Sequence, residues 1–233
     1  FIEHPRRPPS IPRAEPEVLR VYFGGDASQD ADKGPIVRAP EGVQGVVVVE
    51  ARRFRQGAGV MVTSFYEGRP VSTERRLPAS IALRVALSGP GVKPKPSFDG
   101  VVRDEALDRA LTVARRAFAE GVAVLCAWRR GDLAPDDPQR RWIRDGAEDL
   151  DTHDLASLAR AAWAEAVRKV PPGEGPRTFA AELYERPPAL RAVPLWPASG
   201  TRALATTEAV MESAQKPPAV LCFATAKKGA RVE

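Results

Sequence analysis

The chain has 233 residues, 43% hydrophobic and 28% charged, a balance that supports a buried core and excludes a wholly disordered chain. Thirty-five Lys and Arg against 30 Asp and Glu leave a net charge of +5, and acids and bases are interleaved, so composition singles out no nucleic-acid partner. No apolar run reaches the ~20 residues that a membrane-spanning helix needs.

Residues 1–16, FIEHPRRPPSIPRAEP, are rich in Pro and Arg. Proline removes backbone donors and favours extended geometry, so this stretch reads as an arm that docks on a body or a neighbour. The chain opens on Phe1, which leaves room for an upstream targeting segment. EVLRVYFGG (17–25) reads as a strand ending in a turn, and the polar loop DASQDADKGP follows. QGVVVVEARRF (44–54) and GAGVMVTSFYEG (57–68) are β-branched runs, with Gly57 and Gly59 placed to make a hairpin between them. EGRP (67–70) marks another reversal. The first third is therefore expected to be an antiparallel β-meander, a β-rich subdomain over 17–80.

IALRVALSG (81–89) predicts an apolar strand. Leu107, Ala110, Leu111, Ala114 and Phe118 fall on one stripe and predict a helix over 103–120, stopped by Gly121. A strand at 122–128 would follow, and then a polar surface excursion to 151 with a short helix near Trp142. A second helix is expected over 154–170, ended by Pro171 and Pro172, with strands at 176–185, 190–196 and 218–225 and a weaker helix at 201–215. The fold class that results is α/β. A mixed sheet would carry an N-terminal antiparallel part and C-terminal β-α-β units over 81–233, with helices packed on it, all in one domain from 17 to 233.

The tetrapeptide AVLC occurs at 123–126 and at 219–222 and contains both cysteines, Cys126 and Cys222. Each copy ends a strand–loop–helix–strand pattern. The spacing differs between the two, which favours shared composition over duplication. Thiols inside apolar strands are packing groups with raised pKa values, not nucleophiles. So few cysteines point to a reducing compartment such as the cytoplasm.

Four constellations bear on function. Asp26, Ser28, Asp30 and Asp32 have the spacing of a calcium loop, but Ala31 and Val37 stand where that loop needs Gly and Glu. Ser199, Gly200, Thr201 and Arg202 lie before the helix expected at 201 and are the anion-binding candidate. His153 sits between carboxylates, and with His4 it completes no metal site. Arg6, Arg7, Arg52, Arg53 and Arg55 form a basic surface candidate, and RRWIR (140–144) is a second cluster among acids. No catalytic constellation assembles and no cofactor is implied. The leading reading is a non-catalytic interaction or structural subunit of a larger assembly, with other protein subunits as partners. Two alternatives stand beside it. One is an enzyme or binding protein for a phosphorylated ligand at 199–202, built on a degenerate duplicated α/β fold. The other is a nucleic-acid-associated protein using the basic arm.

Overall fold

β-Branched runs separated by Gly-containing turns generate five strands that join in one mixed sheet. The computed structural model describes residues 9–12, 16–25, 34–51, 60–76, 82–151, 154–155, 157–159, 161–162, 194–197 and 204–206. The strands are β1 (Glu17–Phe23), β2 (Gln44–Glu50), β3 (Val60–Tyr66), β4 (Arg69–Arg76) and β5 (Leu83–Ser88), in the order β1-β2-β5-β3-β4. β2 pairs antiparallel with β1 and β5, β3 pairs antiparallel with β4, and β3 and β5 run parallel. The expected α/β class holds: a mixed sheet with antiparallel N-terminal strands and a helix packed on it.

The reversal at 67–70 is a two-residue turn. Glu67 (φ 48) and Gly68 (φ 78) both take positive φ, the geometry whose twist matches that of a hairpin. The hairpin expected across Gly57 and Gly59 does not form, because β5 takes the edge of β2 that β3 would have used. The cause lies in burial. β2 is buried on both faces, so it needs a neighbour that is apolar on both, and LRVALS of β5 is mostly buried where VMVTSFY of β3 is only partly so.

One face of the sheet is covered by α1 (Glu105–Arg130). Asp104 caps its start: the carboxylate accepts from Leu107 N at 2.9 Å, while Glu105 and Asp108 complement the first turn. At the other end Gly131 (φ 78) donates to Trp128 O, and Asp132 N donates to Ala127 O, the paired bonds of a Schellman stop. Two expectations are corrected here. Gly121 does not end the helix, and 122–128 is not a strand but the last third of α1. A Cβ at Gly121 would lie 2.6 Å from Val21 Cγ2, so the glycine lets the helix pack closely on β1 here. Gly121–Cys126 are all buried, and a fully buried helical turn carries the same uninterrupted apolar run as a central strand. The first AVLC unit therefore forms no β-α-β crossover. The second, with Cys222, lies outside the described residues.

The 129–151 stretch is not a free surface excursion. It holds two 3₁₀ turns, Pro138–Trp142 and Asp145–Ala147, that close the outer edge of β1. Ile143 bridges Leu19, and Arg144 N donates to Val18 O at 3.0 Å. Further along the same edge Val37 bridges Phe23. Trp142, 1% exposed, belongs to the main core, and its Nε1 donates to Pro35 O at 2.7 Å. An edge strand left open is a template for unwanted pairing, and these contacts cover this one.

Asp151 Oδ1 accepts from Asp154 N and starts the expected second helix, whose Leu158, Ala159 and Ala162 are buried. Two short strands, β6 (Pro194–Pro197) and β7 (Leu204–Thr206), pair antiparallel. β7 corrects the helix expected over 201–215 at those three residues. The strands expected at 176–185 and 218–225 lie outside the described residues.

Candidate functional site

Between β5 and α1 the chain projects a finger, KPKPSFDGVV (93–102). Its base is closed by Val102 N donating to Lys93 O at 2.8 Å, and the next rung is a bridge between Pro94 and Val101. Lys95 N donates to Gly100 O, and Phe98 N donates to Lys95 O, both at 2.9 Å. Pro96 thus occupies the second position of a tight turn, where its fixed φ is an advantage. Val92 and Val101 anchor the finger in the core. Side chains brace the frame as well: Ser97 Oγ donates to Asp99 at 2.6 Å, and Lys93 Nζ reaches Asp104 at 3.1 Å.

At the tip Phe98 is 67% exposed, the most exposed large hydrophobic side chain among the described residues. It also has φ 54, a left-handed conformation that bulky residues rarely take. The hydrogen bond from Ser97, with help from Lys95, holds the Asp99 carboxyl below its ordinary range. The bond from Leu107 N, with Lys93, does the same for Asp104. Both groups have depressed folded values, so the bracing they provide is complete at neutral pH and fades as pH falls into the carboxylate range.

The sheet face opposite α1 carries a second arrangement. Val46, Val48 and Ala86 form a small apolar floor, flanked by Tyr22 and Phe65. Ile11 of the N-terminal segment sits on this floor, 9% exposed. Glu17 and Glu50 face each other across β1 and β2, a pairing of like charges that is answered by two arginines. Arg20 Nε donates to Glu17 Oε2 at 2.8 Å, and Arg84 pairs with Glu50 at 2.5 Å. Both arginines lie in the register row of Val48, one on each side. Each also reaches the arm: Arg20 Nη2 donates to Ile11 O at 3.0 Å and Arg84 Nη2 to Pro12 O at 3.3 Å. The hydrogen bond to Glu17 raises the pKa of Arg20 despite burial, so the guanidinium stays charged. The predicted arm thus docks, through residues 9–12, on its own sheet.

Of the residues singled out in the sequence, Ser199, Gly200, Thr201, Arg202, Arg6, Arg7, Arg52, Arg53, Arg55, His4, His153 and the 26–32 loop lie outside the described residues. Cys126 is 1% exposed, on a helix rather than a strand. Burial pushes its thiol up to about 12, against a small opposing pull from Arg130. In the folded state it is expected to resist a thiol reagent at pH 8 and to react only at the rate at which the chain opens. Stopped-flow labelling with and without denaturant checks this; rapid labelling of the native chain at Cys126 would contradict the packing role. No group of three His, Cys, Asp or Glu among the described residues is arranged to hold a metal, and no helix among them is long and apolar enough to cross a membrane. The outer edge of β4 has no strand partner among the described residues, and it is blunted by Pro70 and a β-bulge at Ser64/Phe65. The finger carries none of the candidate residues read from the sequence. Its signal is an aromatic set among turn formers, P-S-F-D-G, where no periodic element exists to bury it. Compared with protein-family models, curated proteins and solved structures, the chain matches none of them.

Proposed function

We propose that this chain is a non-catalytic interaction subunit of a protein assembly and that the 93–102 finger is its principal contact. The observation that carries this reading is the tip residue. A single exposed aromatic is ordinary on a protein surface. Phe98 differs because a hydrogen-bonded frame holds it outward in a left-handed conformation. That conformation costs about 1–2 kcal/mol for a residue with a Cβ. Glycine would avoid the cost, and local strain of this kind gathers at functional positions. A rigid aromatic on a fixed loop is also the usual anchor of a protein–protein contact. Lys95 and Asp99, 3.9 Å apart, put one charge of each sign beside it. The matching surface is an apolar pocket with a mixed polar rim.

Phe98→Gly separates this role from a structural one. The variant is expected to keep the wild-type stability or gain up to about 1 kcal/mol, since relief of the left-handed strain opposes the extra entropy of the unfolded glycine. Urea denaturation measures it, and a loss of more than about 1 kcal/mol would make Phe98 part of the fold rather than an anchor. Tagged wild-type and Phe98→Gly chains recovered from native extract supply the functional half. A stoichiometric partner held by the first and lost by the second supports the reading. A wild-type chain that recovers no such partner removes it.

The anion-binding alternative at Ser199, Gly200, Thr201 and Arg202 drew its support from a helix opening at 201. The strand at 204–206 withdraws the helix dipole from that argument. The nucleic-acid alternative rests on the charge of the arm and of Arg52, Arg53 and Arg55 alone.

A further inference from the structure

We propose that Ser97 is a phosphorylation site and that a phosphate there releases the finger from its partner. The inference rests on the reading of the 93–102 finger as the contact and adds its control. Ser97 is the only hydroxyl in KPKPSFDGVV. It is exposed at the tip, next to Phe98, and its Oγ donates to Asp99 Oδ1 at 2.6 Å. Lys93 and Lys95, each more than half exposed, precede it by four and two positions. A basic run ahead of an accessible hydroxyl is a charge pattern by which protein kinases select substrates. The rungs from Val102 to Lys93, from Lys95 to Gly100 and from Phe98 to Lys95 all lie within 93–102. The tip can therefore open to an enzyme while the sheet and α1 stay closed.

The transfer takes a protein kinase and a nucleoside triphosphate. Ser97 Oγ forms the new O–P bond with the γ-phosphorus, and the bond from that phosphorus to the bridging β–γ oxygen breaks. The hydroxyl proton passes to the kinase's base, and the nucleoside diphosphate leaves. The proton that departs is the one now donated to Asp99. A bracing hydrogen bond is therefore replaced by a phosphate set against a carboxylate, and like charges so close repel. Lys95 Nζ, 3.9 Å from Asp99, is drawn to the stronger anion. Asp99 loses both side-chain supports together, and the frame that holds Phe98 outward loosens. The finger's charge changes sign as well: two lysines less one aspartate make +1, and a phosphate of about −2 turns this to about −1. A rim matched to the unmodified finger then meets the opposite field.

The test uses the full chain. Phosphopeptide mapping of the chain isolated from its own cells under phosphatase inhibition is expected to find phosphate on Ser97. Ser97→Ala loses the same hydrogen bond without adding charge, so it is the reference for Ser97→Glu. Hydrogen exchange at the Lys95 and Phe98 amides should be at least about ten-fold faster in Ser97→Glu than in Ser97→Ala. The amides of β2 should stay as slow as in the wild type in both. In the recovery experiment, Ser97→Ala should hold the partner and Ser97→Glu should lose it. A chain without phosphate on Ser97 overturns the site. Equal exchange in the two variants overturns the switch. A partner held by Ser97→Glu and lost by Phe98→Gly also overturns it, yet leaves Phe98 as the anchor. A partner that Phe98→Gly holds as well as the wild type removes the finger as the contact, and its control with it.

Discussion

Arg20→Met is expected to destabilise the fold by about 3–5 kcal/mol, because it leaves a carboxylate buried without its cation. Glu17 and Arg20 are each 5% exposed on the β1 face, and the guanidinium gives Glu17 two hydrogen bonds. Glu50 faces Glu17 across the strands, so removing Arg20 also leaves two carboxylates to repel each other beside a single arginine. The double variant Glu17→Leu/Arg20→Met should be far milder, because apolar residues of similar size replace a buried pair at little net cost. Urea denaturation measures all three chains. A deficit below about 1 kcal/mol for Arg20→Met at neutral pH would place the pair in water instead of under the arm.

Trp142→Ala should cost a similar amount, about 3–5 kcal/mol, through the cavity it opens. The indole is among the largest fully buried side chains and directly precedes Ile143, which bridges the edge of β1. It also holds the 34–37 segment: Nε1 donates to Pro35 O, and a Cβ at Gly34 would lie 3.2 Å from Trp142 Cδ1. Trp142→Phe keeps most of the volume and loses only the donor, so about 1–3 kcal/mol is expected from the stranded carbonyl. Denaturation midpoints order the three chains as wild type, Trp142→Phe and Trp142→Ala. If Trp142→Ala costs less than about 1 kcal/mol, the 129–151 stretch is the loose surface excursion that its composition suggests.

Trp142 shows why part of the fold was hidden in the sequence. It sits in RRWIR, a polar stretch without periodicity, where an aromatic reads as a surface residue. Its burial comes from a carbonyl more than a hundred positions away in the chain (Trp142 to Pro35, |i−j| = 107), and no local window spans that distance. The run GVAVLC erred in the opposite direction. Its apolar continuity is real, but continuity reports burial on all sides and not period, so it fits a buried helical turn as well as a strand. The close approach of Gly121 to Val21 resolves the ambiguity, and that contact exists only once the sheet is formed.

Local chemistry by itself determined the β-branched strands, the Glu67-Gly68 reversal and the apolar stripe of α1 from Leu107 to Phe118. Each depends on φ preferences, side-chain period or a cap within a few residues, and such signals are complete within a short window. Only the tertiary structure decided that β5 enters between β2 and β3, that α1 runs on through Cys126, that the 129–151 stretch closes an edge and that Ile11 rests on the Val46, Val48 and Ala86 floor beside Arg20. The physical reason is common to all four. Pairing and burial are settled by which distant surfaces can exclude water from each other, and that free energy belongs to the assembled sheet and to no single segment.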